Sequence, residues 1–403
     1  GGAQSNGAEY TDTVFTERSD VLVYASWHGK TFTVTYNADL GAVSSATAEV
    51  VYGEAFKLEV PANTDERDAR YAFVGWYTGA DGEGTRYTDE AGNSVRNWGD
   101  AADTTLYARW AEVLEFTPTV GSASENAYSV QAGPEIDAVS KVRVPATYKA
   151  PGTNDEYYVT SILSGAFQNC TALEEIDIPN SIQIVGATSL DDAAGAFAGC
   201  DNLMNVNVYA VEGTHEVVFS SVDGVLLRVT QASLVRIAYF PAARTGVYYV
   251  PDVVEEIPTR TFANTGITAV VIAKEVLYIR QTAFYNCDEL ETVVFEEGGS
   301  DSQALLIESY AFQSCDRLAN ITLPARLGEV ESFSDVFYGC NALANVFVEE
   351  GNGFYSSVDG LICDALGTTV LFCPYGRSGS YTMPSTVTAI GESAFAERNR
   401  LTE

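Results

Sequence analysis

One phrase, Ala-Phe-x-x-Cys-x-x-Leu followed by x-x-Ile-x-Ile, recurs through the second half of this chain. It constrains the fold more than any other feature. The copies are AFQNCTALEEIDI (166–178), AFAGCDNLMNVNV (196–208), AFYNCDELETVVF (283–295), AFQSCDRLANITL (311–323) and VFYGCNALANVFV (336–348). TFANTGITAVVI (261–272) is a shorter copy without its cysteine, and AFAERNRL (394–401) opens another. Phe and Leu stand six residues apart at Phe167/Leu173, Phe197/Leu203, Phe284/Leu290, Phe312/Leu318, Phe337/Leu343 and Phe395/Leu401. Apolar pairs follow at plus three and plus five, as in Ile176/Ile178, Val293/Phe295 and Val346/Val348. That period of two predicts a strand, and the Ala-Phe-x-x-Cys segment predicts a compact turn or short helix on the other side of a coil.

One such coil cannot bury its apolar face alone. Stacked coils share a continuous core and pair their strands in parallel, roughly 4.8 Å apart. Phe-to-Phe steps of 22 (262 to 284), 28 (284 to 312) and 25 (312 to 337) residues fit coils with variable loops. Two insertions, FSSVDGVLLRVTQASLVRIAYFP (219–241) and YSSVDGLICDALGTTVLFCP (355–374), resemble one another. Each reads as a β-hairpin: a Ser-Val-Asp-Gly lead-in, two alternating strands and an exit proline.

Residues 28–111 read as a separate all-strand unit, carried by TFTVTYNADLG, YAFVGWYT and TTLYARW. Residues 1–27 repeat the end of that unit, with Tyr10, Tyr24 and Trp27 matching Tyr87, Tyr107 and Trp110. The expected division is therefore 1–27, a partial unit; 28–111, a complete unit; and 112–403, the solenoid, with the chain expected to be truncated at both ends. The fold class expected is mainly β with short helical turns.

The phrase and the two Ser-Val-Asp-Gly insertions resemble the BspA-type leucine-rich repeats of bacterial surface proteins. LEFTP…ENAYSV…YYVTSILSGAF, from Leu114, is similar to the capping start of that family. VTYNADLG, FVGWYT and TLYARW resemble the internalin B-repeat, or Listeria–Bacteroides repeat. The first resemblance implies a leucine-rich-repeat solenoid in a secreted or cell-surface protein, adhesin-like in some members. The second implies a small β-grasp-like spacer. Neither brings a catalytic constellation, so no enzyme activity is expected.

The 55 acidic and 22 basic residues leave a formal charge of −33, which repels nucleic-acid phosphates and offers nothing to anionic lipid. No apolar run is long enough to span a bilayer, so no membrane insertion is expected. Five of the seven cysteines, Cys170, Cys200, Cys287, Cys315 and Cys340, share one repeat position and read as small buried hydrophobes, with inter-coil disulfides or a metal role as the alternative. Thr265 and Arg398 stand at that position in two copies. Cys363 and Cys373 read as core, or as a disulfide pair. His28 and His215 read as exposed loop residues. No Cys-x-x-C, Gly-x-Ser-x-Gly or phosphate loop is present. Glu296-Glu297 and Glu349-Glu350 read as solvated charge, Asp81-Gly82-Glu83 and Asp191-Asp192 as weak calcium candidates, and Asp223-Gly224 and Asp359-Gly360 as turns. No cofactor is expected.

Alternate strand residues should share one outer face. That face comprises Glu175/Asp177, Asn205/Asn207, Ala269/Val271, Thr292/Val294, Asn320/Thr322 and Asn345/Phe347. Its polar members suit a protein or glycan ligand on a host or microbial surface. Binding of such a ligand is the functional expectation. The alternative is a structural spacer or stalk with no ligand of its own.

Overall fold

The computed structural model describes residues 29–402 apart from 40, 65–68, 120–126, 154, 187–192, 213–216, 231–233, 299–302 and 399. The partial unit at 1–27, both histidines and Asp191-Asp192 lie outside the described residues.

In the N-terminal module, β1 (Thr31–Asn37), β2 (Thr47–Val51), β3 (Tyr71–Tyr77) and β4 (Thr104–Glu112) form one mixed sheet in the order β2-β1-β4-β3. The central pair β1/β4 is parallel, and β2 and β3 flank it antiparallel. This is a grasp-like order, but no α-helix crosses the sheet among the described residues of the module. Alternation puts Phe32, Val34, Leu106 and Ala108 inside, against Trp76, Tyr87 and Trp98. The polar ends of these rings are satisfied: Trp76 Nε1 donates to the Glu59 carbonyl (2.8 Å), and the Tyr87 hydroxyl donates to Asp100 (2.8 Å).

One residue, Val113, separates β4 from β5 (Leu114–Thr119), so the module runs directly into the solenoid. The amides of Val113 and Leu114 both donate to the Arg70 carbonyl (2.9 and 3.1 Å). Val74 and Ala111 of the module lie in the same apolar cluster as Leu114, Val130 and Val142. Glu135 accepts from Arg109 (2.9 Å) and from the Glu112 amide (3.1 Å). Glu90 accepts from the Ser140 amide (3.1 Å) and hydroxyl (2.5 Å).

The solenoid opens with β5 antiparallel to β6 (Ala127–Ala132), then β7 (Lys141–Arg143), β8 (Thr147–Lys149) and β9 (Glu156–Leu163). Each later coil gives one strand to a front sheet and a short one to a back sheet. The first coils supply β10 (Glu175–Pro179), β11 (Ile184–Gly186) and β12 (Asn205–Tyr209). The first insertion is β13 (Phe219–Val222), β14 (Val225–Val229) and β15 (Val235–Tyr239). Beyond it come β16 (Thr245–Tyr249), β17 (Glu256–Ile257), β18 (Gly266–Ile272), β19 (Tyr278–Ile279), β20 (Thr292–Phe295), β21 (Leu306–Ile307), β22 (Asn320–Leu323) and β23 (Asn345–Val348). The second insertion is β24 (Tyr355–Val358), β25 (Leu361–Asp364) and β26 (Thr369–Phe372), followed by β27 (Gly379–Ser380), β28 (Ala389–Ile390) and β29 (Leu401–Thr402). The front sheets are β7-β10-β12, β16-β18-β20, β22-β23 and β27-β29, all parallel.

The Ala-Phe-x-x-Cys segments form tight turns, with four-residue helices at Ala193–Ala196 and Phe333–Val336. The residue before the cysteine has positive φ in every copy: Asn169, Gly199, Asn264, Asn286, Ser314, Gly339 and Glu397 lie between +57° and +77°. A left-handed residue reverses the chain there, and Asn and Gly tolerate it best. Successive turns bond through the backbone, as Phe284 N to Ala311 O (2.8 Å) and Asn286 N to Gln313 O (2.9 Å). The phenylalanines stack through the core: Phe262/Phe284 at 4.8 Å, Phe284/Phe312 at 4.9 Å and Phe312/Phe337 at 5.8 Å.

The insertions differ from the hairpins expected. The Ser-Val-Asp-Gly lead-in is itself a strand, so each insertion has three strands, and the third turns back into the solenoid. β15 pairs in parallel with β17, and β26 with β28. Tyr239 packs on Phe197 (5.0 Å), Phe240 on Phe262 (4.8 Å) and Phe372 on Phe337 (5.8 Å), so each insertion replaces a coil in the ring stack. Asp223-Gly224 and Asp359-Gly360 have positive φ at both positions, the two-residue turn that matches strand twist. Arg244 and Arg377 each donate to the carbonyl of the turn aspartate, a pairing between residues 21 and 18 positions apart.

Candidate functional site on the strand face

All seven cysteines are buried and free. The thiols of Cys200, Cys287, Cys315 and Cys340 donate to the carbonyls of Phe167, Phe262, Phe284 and Phe312 in the preceding coils (2.8–3.2 Å). Burial pushes the Cys363 and Cys373 thiols up, away from the reactive thiolate. At the two cysteine-free copies, Thr265 donates to Phe262 O (2.7 Å), and the Arg398 guanidinium lies over Tyr375 (3.7 Å). Among the described residues, no group of three His, Cys, Asp or Glu side chains is arranged to hold a metal ion. Asp81 and Gly82 sit in a 3-10 turn beside Arg109.

The front sheets carry the outward residues anticipated from the repeat, and they divide into two chemically different parts. Across β7, β10 and β12 the rows are Lys141–Glu175–Asn205 and Arg143–Asp177–Asn207. These side chains bind one another. Lys141 pairs with Glu175 (2.5 Å) and Asp177 (3.6 Å), and Asn207 Nδ2 donates to Glu175 (2.9 Å) and Asp177 (3.0 Å). Contact with Glu175 holds the Lys141 ammonium above its ordinary pKa. Arg143 reaches Asp177 (3.8 Å) and covers Tyr209 (3.8 Å). Glu175, Asn205, Lys141 and Met204 also line a cleft of about 600 Å³ against Tyr71 and Trp110 of the module.

The insertions seal two of the front-sheet edges. Val206 N donates to Gly224 O (2.8 Å) and Val208 N to Ser221 Oγ (2.8 Å); Val346 N and Val348 N repeat this with Gly360 O (3.0 Å) and Ser357 Oγ (3.1 Å). Asn205 and Asn345 are packed against the turn glycines so closely that a Cβ on either glycine would lie within 2.4 Å of an amide oxygen. Asn345 Nδ2 in turn donates to Asn320 (2.8 Å). The expected face is thus interrupted where an insertion enters, and its asparagines are engaged with neighbours.

The middle coils are different. The rows there are Val247–Ala269–Thr292 and Tyr249–Val271–Val294, continued by Thr322–Phe347 on β22 and β23. No member is charged. Val247 is 55% exposed, Tyr249 67%, Val294 45% and Phe347 43%. Val247 and Tyr249 were absent from the expected face because β16 follows the first insertion and has no Leu anchor ahead of it. Their signal was the alternation of Val247 and Tyr249 about the buried Tyr248.

Residues 154–225 and 250–357 match the BspA type leucine rich repeat region in six copies, and residues 32–109 match the Listeria-Bacteroides repeat domain. No curated protein matches the chain. Solved structures similar to it include a leucine rich cell surface protein from Faecalibacterium prausnitzii (17% identity, 71% of this chain and 67% of that one, TM-score 0.39). The pneumococcal vaccine antigen PcpA (20%, 73% and 68%, 0.36) and a leucine-rich repeat protein from Bacteroides ovatus (15%, 72% and 80%, 0.33) are also similar. No helix among the described residues is long and apolar enough to cross a membrane.

Proposed function

We propose that this chain, which carries BspA-type leucine-rich repeats behind a Listeria–Bacteroides repeat, is a bacterial surface protein that binds rather than catalyses, docking a partner protein on the apolar part of its strand face. The observation that carries this reading is the exposure of Val247, Tyr249 and Val294 in the paired rows of β16, β18 and β20, with Phe347 exposed on the next front sheet, in rows that hold no charged side chain in a chain of net charge −33. Contiguous exposed apolar surface of this kind marks an interaction site. Covering each of these side chains is worth on the order of 1 kcal/mol.

A protein partner is favoured over a glycan. Valine and alanine offer sugar hydroxyls nothing to bond, whereas the polar part of the face, which could do so, is occupied by its own ion pairs. The extracellular location expected of both repeat types accords with this role. The division at residues 111/112 belongs to the same proposal, with the module as a fixed mount for the first coil.

The test is binding of the purified chain to an immobilised panel of extracellular matrix proteins and mucins at two salt concentrations. Saturable binding that survives salt, and that Tyr249→Ser with Phe347→Ser abolishes, supports the reading. Binding that the double substitution leaves intact overturns it. No binding across the panel transfers the weight to the spacer role.

A further inference from the structure

We infer that the partner docked on this face presents apolar side chains flanked by lysine or arginine. The inference rests on the proposed binding role and narrows its chemistry. The loops at the C-terminal ends of the middle strands carry Asp252, Glu275, Glu296, Glu297, Glu349 and Glu350. Two cations share those loops. Lys274 is half-buried, and Arg326 is turned inward to donate to Val276 O (2.6 Å) and Ala273 O (3.4 Å). At the N-terminal ends stand Asp288, Glu289, Glu291 and Asp316. The cations there, Arg244 beside β16 and Arg317, are both engaged: Arg244 donates to the Asp223 carbonyl, and Arg317 is held by Glu289 and by Glu291 (3.7 Å).

An uncharged, apolar strip therefore lies between two acidic margins. Charges of a partner that come within roughly 8 Å of these loops interact with them at physiological salt. Such margins attract a basic rim and repel an acidic one, setting both encounter rate and selectivity. A second copy of this chain is disfavoured, because it would set acidic margins against acidic margins. A neutral apolar partner would fit the strip but leave the margins without counter-charge.

The experiment uses the intact chain and four immobilised synthetic peptides. Three share the apolar centre Val-Tyr-Val-Phe, flanked on both sides by three lysines, three serines or three glutamates; the fourth has a serine centre with lysine flanks. The lysine-flanked apolar peptide should bind at least tenfold tighter than the serine-flanked one, and the glutamate-flanked one should not bind. Glu297→Gln with Glu350→Gln should narrow the first difference, and Tyr249→Ser with Phe347→Ser should abolish binding. Equal binding of the three apolar peptides, lost on the Tyr249/Phe347 substitution, would overturn the basic-partner inference and leave the binding face standing. If the serine-centred peptide binds as tightly as the apolar one and the face substitution has no effect, both fall. Failure of the lysine-flanked apolar peptide to bind overturns the inference.

Discussion

The thiol of Cys315 donates to the backbone carbonyl of Phe284, one coil earlier, at 3.2 Å. The carbonyl sits in the apolar core, where an unmet acceptor is costly, and a thiol is small and apolar enough to be buried with it. This is why the repeat position holds cysteine rather than alanine or valine. Cys315→Ala should therefore destabilise the chain by about 1–3 kcal/mol, from a lost bond plus a small cavity. Urea denaturation compares it with Cys315→Ser, which keeps a donor and should cost less.

Phe284 sits between Phe262 (4.8 Å) and Phe312 (4.9 Å) and is fully buried. Phe284→Ala leaves a cavity that neither ring can fill without abandoning its other partner. A loss of about 3–5 kcal/mol is expected in chemical denaturation. In a solenoid the damage should spread to adjacent coils, seen as faster amide exchange in β18 and β22.

Asn286 has φ +57° and donates to Asn264 (3.0 Å). Asn286→Gly should cost little, since Gly199 and Gly339 occupy the same place in other copies. Asn286→Val should lose about 1–2 kcal/mol, because a β-branched residue resists the left-handed region. Equal stability of the two variants would show that backbone strain does not govern this turn.

Much of the solenoid was legible because Phe, Cys and Leu recur in phase and the alternation after Leu marks each front strand. The insertions were under-read because the role of Tyr239, Phe240 and Phe372 in the ring stack depends on contacts between coils. The site was read only in part. Glu175, Asp177 and Asn207 looked like free recognition groups, yet register places them beside Lys141 and Arg143, a relation that spacing within one repeat does not contain. Tyr249 and Val247 were missed because β16 falls outside the repeated phrase.

At the joint between module and solenoid, burial pushes the Glu90 carboxyl up, but the bonds from Ser140 outweigh it and hold its pKa below the ordinary 4.5. A carboxylate favoured in the folded state contributes stability above the unfolded value, lost as pH falls through the lowered folded one. The stability difference between the parent chain and Glu90→Gln should therefore be full at neutral pH and shrink below about pH 4.5. Urea midpoints measured across that range check it. A difference that grows on acidification would contradict the assigned role.

The most direct test of the central claim sets the two parts of the strand face against each other. Lys141→Ala with Asn207→Ala alters the polar part, and Tyr249→Ser with Phe347→Ser alters the apolar part. Affinity of each variant for the tightest binder found on the protein panel is measured beside the parent chain, with circular dichroism to verify the fold. The account predicts a loss of at least about tenfold, 1.4 kcal/mol, for the apolar variant and little change for the polar one. The reverse order would contradict it and return recognition to the polar coils beside the module.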